Sequence, residues 1–193
     1  ILESGIDSNM IKGFFNDTSY FNQQACSSPK LIIWLGSNEE NAKASAIFWS
    51  HYQDFLSQNV VNNTSGMVMD RLVASSFYTS SNLVSNNNST NDYPMKLQVK
   101  NPSSPLIREA HPGNGLFLEI EKNSIEDIAK EVRDIDQTLS YIGLSEHDIR
   151  SLIMKITNRG VDKIVPVGQA LDFNLVWDGY DLIEQFSRKI VIN

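Results

Sequence analysis

Residues 116–167 read LFLEIEKNSIEDIAKEVRDIDQTLSYIGLSEHDIRSLIMKITNRGVDKIVPV, and the order of patterns in this stretch decides the fold class. Short apolar runs at 116–121, 138–142 and 163–167 alternate with helical spacings over 125–134 and 146–157. Ser124-Ile125-Glu126-Asp127 and Ser145-Glu146-His147-Asp148 each set a hydroxyl three residues before a carboxylate, the capping box that satisfies free amides at a helix start. Short crossover helices between strands favour parallel pairing, so the predicted fold is α/β, a mainly parallel sheet with flanking helices.

Working outward, 95–99 reads as another strand, followed by a loop with Pro102, Pro105 and Pro112. The run KLIIWL at 30–35, closed by Gly36, predicts a buried strand, and helical spacings run over 9–24, 39–58 and 66–80. Residues 80–92 are almost wholly Ser, Asn and Thr, the composition of a mobile surface loop. Asn-x-Ser/Thr triplets there, such as Asn88-Ser89-Thr90, follow from that composition by chance. The closing Lys189-Ile190-Val191-Ile192 is strand-like.

A chain of 193 residues with 41% hydrophobic and 20% charged side chains suffices for one domain. A net charge of -7 leaves no cationic face for phosphates and argues against nucleic acid. No apolar run approaches the roughly 20 residues that cross a bilayer. One cysteine, Cys26, permits no intrachain disulfide, and His51, His111 and His147 lack zinc-ligand spacing, which fits a cytoplasmic setting. Ile1-Leu2-Glu3-Ser4-Gly5 has neither an initiator Met nor a signal-peptide pattern and reads as the interior of a longer chain.

Cys26 falls between a predicted helix and a predicted strand, where a tight turn can expose a thiol. A thiol attacks a carbonyl only as thiolate, whereas many free cysteines serve as small buried hydrophobes. His51 and His147 read as solvated helix residues, while His111 sits in a proline-rich loop able to reach a site. Gly113-Asn114-Gly115 reads as a turn feeding a strand rather than a phosphate loop. Glu119, Glu121, Glu126, Asp127 and Glu131 read as a solvated acidic face. Trp177-Asp178-Gly179-Tyr180 fits either a substrate-edge loop or aromatic staples between the last helix and the sheet.

Asn22-Gln23-Gln24-Ala25-Cys26-Ser27-Ser28-Pro29, followed by an apolar strand, resembles the nucleophile segment of the acyl-CoA reductases. That family is typified by the LuxC-type fatty acid reductase of bacterial bioluminescence, a branch of the aldehyde dehydrogenase superfamily. The stretch at 159–170, RGVDKIVPVGQA, and Trp177-Asp178-Gly179-Tyr180-Asp181-Leu182 are similar to the C-terminal signature of the same reductases, with 137–140 between them where the superfamily has a comparable strand. The resemblance implies that residues 1–193 are an aldehyde-dehydrogenase-like catalytic domain in which Cys26 takes the acyl group from a fatty acyl thioester, and a hydride from NADPH then releases the aldehyde. It further implies that the general-base glutamate, an oxyanion-hole asparagine and the coenzyme domain precede Ile1. An acyl-protein synthetase or acyl donor protein as partner, and a homo-oligomer at full length, are implied by it as well. Gln24 matches the superfamily's glutamine, whereas Gln23 stands where ordinary aldehyde dehydrogenases carry glycine, which favours a reductase over an aldehyde oxidiser. Glu109 lacks the motif of the superfamily's ribose-binding glutamate and stays unassigned. An aldehyde dehydrogenase or acyltransferase using the same thiol, or an acyl-binding or scaffolding domain with an inert cysteine, are the alternatives.

Overall fold

Strand β3 (Leu116–Lys122) is the centre of a three-stranded sheet, flanked by β1 (Leu31–Leu35) and β2 (Met95–Gln98), with both neighbours parallel to it. The computed structural model describes residues 6–85 and 93–192. Period-two alternation along β3 divides the core between its faces. Leu116, Leu118 and Ile120 pack with Ala74 and Tyr78 of α3 (Ser65–Ser80), while Phe117 packs with α1 (Ser8–Ser19) and α2 (Asn38–Ser57). The second face is aromatic: the Phe14 ring meets Phe48 at 5.0 Å and Tyr52 at 5.1 Å edge-on, and Phe117 at 5.3 Å with the rings tilted. Ser37 and Glu40 form a capping box that starts α2 immediately after β1.

Beyond a single-turn α4 (Leu106–Glu109) and β3, the chain forms α5 (Ile125–Glu131), β4 (Thr138–Tyr141), α6 (Glu146–Lys155) and β5 (Lys163–Pro166). Parallel pairing holds here too, but β4 and β5 make a separate two-stranded sheet rather than extending the first. A two-residue hairpin, β6 (Val176–Trp177) and β7 (Tyr180–Asp181), and α7 (Leu182–Gln185) complete the order. Among the described residues no helix is long and apolar enough to cross a membrane.

Several predicted boundaries shift for local reasons. Helix α1 stops at Ser19, short of residue 24, because Asn22 and Gln23 adopt φ of 50° and 62°, left-handed values that no α-helix continues. Helix α5 ends at Glu131, where Val132 turns extended and the Asp136 carboxylate accepts from Arg133 N–H at 2.9 Å. The segment 189–192 is not a strand and is exposed. The supposed surface loop at 80–92 enters the core at its start: Leu83 and Val84 are buried, and Val84 bridges Val99. Residues 86–92 of that loop lie outside the described residues.

The acidic face is corrected as well. Glu121, Glu126 and Asp127 are not buried, but Glu119 and Glu131 are. Glu119 Oε1 accepts from the indole N–H groups of Trp34 at 2.7 Å and Trp49 at 2.8 Å, and from Ser45 Oγ at 3.2 Å. Glu131 pairs with Lys122. Glu119 is thus satisfied by neutral donors and Glu131 by an ion pair, inside a fold where an unsatisfied charge would be costly.

Candidate functional site

Because β1, β2 and β3 are parallel, the loops before them share one edge of the sheet, and Cys26 lies there. Coenzymes in open α/β sheets occupy the opposite edge, outside the carboxyl ends of the strands. After the left-handed pair Asn22 and Gln23, the chain makes a turn from Ala25 to Ser28, closed by Ser28 N–H to Ala25 C=O at 3.0 Å. Cys26 is the second residue of that turn and is exposed. Among the described residues no acceptor takes its amide N–H. An open hollow of about 560 Å³ is lined by the residues before it, Tyr20, Phe21, Asn22, Gln24 and Ala25. Tyr20 and Phe21 are 68% and 60% exposed, which gives the hollow an apolar rim.

The Cys26 loop is fastened to the loop before β3. Gln23 is wholly buried; its Nε2 donates to Pro29 C=O at 2.7 Å and Leu116 C=O at 2.9 Å, and its Oε1 accepts from Gly115 N–H at 3.0 Å. Asn114 N–H donates to Asn22 C=O at 2.8 Å, and Gln24 Nε2 donates to Pro112 C=O. Gly113, at φ +70°, is in a left-handed conformation, and a Cβ there would stand 3.0 Å from the carbonyl oxygens of Asn22 and Gln23. Beneath this loop the buried Arg71 donates to Asn114 C=O at 2.7 Å and to Asn63 Oδ1 at 2.8 Å, under the Tyr93 ring at 5.3 Å. Burial holds its guanidinium below the usual range.

Asp17 brings in the C-terminal stretch. Its carboxylate accepts from Gly168 N–H at 2.6 Å and Ala170 N–H at 3.1 Å, and its carbonyl accepts from Ser28 Oγ at 2.8 Å. Burial pushes its carboxyl above the usual range, against the two amides that lower it. Gly13 and Gly168 touch backbone to backbone, where a Cβ on Gly13 would lie 2.9 Å from Gly168 Cα. The segments around Cys26 and Gly168, far apart in sequence, are therefore neighbours.

His111 is in the loop beside Cys26, but its role there is conformational. Nδ1 accepts from Gly113 N–H at 3.0 Å, and burial, followed by the nearby Lys30 charge, pushes its pKa down to about 3. Among the described residues no hydrogen bond links it to the thiol. His51 and His147 are exposed. Trp177 packs on Phe173 at 5.7 Å with Lys163 Nζ 5.8 Å from its ring, whereas Tyr180, its partner in the hairpin, is exposed. Among the described residues no group of three or more His, Cys, Asp or Glu could hold a metal.

A pyrophosphate needs free amides, and the Gly113-Asn114-Gly115 turn has none to offer. Gly113 N–H serves His111, Asn114 N–H serves Asn22, and Gly115 N–H serves Gln23. This turn does not fit NADPH.

Sequence reading singled out Cys26 but not the side chains that hold its loop. Asp17 lies one turn from Phe14 on the buried stripe of α1, and Glu119 interrupts an otherwise apolar buried strand; a carboxylate in such a place signals a partner. No protein-family model matches the chain, and no curated protein matches it.

Proposed function

We propose that Cys26 is the acyl-accepting nucleophile of a fatty acyl thioester reductase with an aldehyde-dehydrogenase-like catalytic domain. The observation that carries this reading is an exposed thiol on a turn whose first residue, Ala25, lines an open hollow and which follows the fastened Gln23. Attack of the thiolate on the thioester carbonyl forms a new C–S bond; the tetrahedral oxyanion collapses, the donor's C–S bond breaks, and the leaving thiolate takes a proton. The amide N–H of Cys26 is available to that oxyanion, and one such donor is worth about 3 kcal/mol of transition-state stabilisation. The apolar rim of Tyr20 and Phe21 suits the start of an acyl chain. NADPH, when bound, would supply the hydride that turns the acyl-cysteine into aldehyde. No described residues are assigned to hold it, and that half of the reaction rests on the sequence resemblance. A cytoplasmic setting and an acyl donor protein as partner belong to the same reading.

Incubation with a long-chain acyl-CoA tests it. Intact mass should rise by one acyl group, and Cys26→Ala should gain none. Equal acylation of Cys26→Ala would remove Cys26 from the chemistry.

A further inference from the structure

The geometry points to Gln23 as the positioning residue of the Cys26 thiol, a role that rests on the proposed acyl transfer. Gln23 occupies a left-handed backbone position, φ 62°, immediately after another, Asn22 at 50°. Such a pair is unfavourable for residues with a side chain and persists only where surrounding contacts hold it. The contacts that hold it come from its own amide. Three polar partners lie on two separate pieces of chain: Pro29 just before β1, and the adjacent Gly115 and Leu116 at the start of β3. Both amide hydrogens and the carbonyl oxygen are used, and nothing of the side chain reaches solvent.

The residues just after Gln23 have weaker anchorage of their own. Gln24 is exposed, though its N–H donates to Phe21 C=O at 2.8 Å and its Nε2 to Pro112 C=O; Cys26 is exposed, Ala25 is partly exposed, and the turn is closed by a single backbone bond. The direction of the thiol is therefore set at Gln23 on one side and at Ser28, bonded to Asp17 C=O, on the other. Attack on a carbonyl needs the sulfur and the amide donor aligned together, and small misplacement costs rate more than affinity. Gln23 touches no substrate and acts only through Cys26.

Gln23→Met keeps the length and removes the hydrogen bonds; Gln23→Gly removes the side chain but suits the left-handed backbone, so it retains the fold even where the Met variant does not. In both, amide exchange over 22–28 and at Gly115 should quicken at least about 10-fold. The acylation rate constant should fall about 10-fold or more while KM for acyl-CoA changes less than about 2-fold, and alkylation by iodoacetamide, which needs no oxyanion donor, should change little. Unchanged exchange would overturn the clamp. Faster exchange with an unchanged acylation rate would overturn the positioning role, as would parallel loss of acylation and alkylation. A wild-type chain that takes no acyl group would overturn the acyl-transfer reading, and the positioning role with it, whatever exchange shows.

Discussion

From Leu116 to Ile120 every residue of β3 is buried, whereas across all of β4 to α7 the buried residues are Leu152, Gly160 and Ala170. The first region, around the three-stranded sheet, is held by interlocked aromatic and aliphatic side chains on both faces. The second has a small cluster where α5 meets α6 against Ile33 and Leu35 of β1, packs Ile142 and Val167 on the aromatic cluster, and leaves Phe173, Leu175, Ile183, Phe186 and Ile190 exposed. Polar contacts maintain its shape: Val161 N–H to Asp136 C=O at 2.6 Å, Lys163 Nζ to Asp172 C=O at 2.7 Å, and the two amides on Asp17. Burial is non-directional and sums over area, while these bonds each depend on one geometry. The candidate site draws on both regions, since Cys26 stands on the first and Asp17 ties its loop to the second.

The contrast is broken most directly at the core. Phe14→Ala should lower unfolding free energy by about 3 to 5 kcal/mol in urea denaturation, because it opens a cavity among four rings. Ile190→Ser, in the exposed closing segment, should change it by less than about 0.5 kcal/mol. Comparable losses from the two would mean that the second region is packed as firmly as the first.

The tie between the regions comes next. Asp17→Asn leaves one acceptor for two buried amides, at a cost of about 1 to 3 kcal/mol. Hydrogen exchange should quicken at Gly168 and Ala170 while Leu118 keeps its protection. Unaltered exchange at Gly168 would show that the C-terminal stretch is held there by other means.

Acid sharpens the comparison more gently, through His111 in the first region. Its folded pKa of about 3 lies below the ordinary 6.5, so between these values the unfolded chain binds the proton and the native one does not. Stability is then full above pH 6.5 and is lost as pH falls, by at most about 1.4 kcal/mol per unit. His111→Asn, which keeps an acceptor for Gly113 N–H, should flatten denaturation midpoints measured between pH 7 and 5. A slope as steep as wild type would assign the loss to other groups.

How much of the fold and site is legible in the sequence depends on the range of the forces. Ser124 and Ser145 announce α5 and α6 because capping is a contact three residues long, and alternating apolar runs announce the strands. The split into two sheets is not legible, since the same βαβ rhythm serves one sheet or two. Leu83 and Val84 are hidden in a polar stretch, where two apolar residues give no period. Cys26 can be named from its neighbours in sequence. The partners of Gln23, Asp17 and Glu119 cannot, because each of the three reaches across tertiary distance.

Glu119 gives the molecule an optical consequence. Two of the three tryptophans, Trp34 and Trp49, point their indole nitrogens at one carboxylate oxygen in the dry first region, and the third, Trp177, lies half-exposed against Phe173 beside the hairpin turn. Emission from the pair should therefore respond to that one hydrogen-bonded centre and emission from Trp177 to the hairpin, so quenching one without the other divides a single spectrum into a channel for each half of the chain.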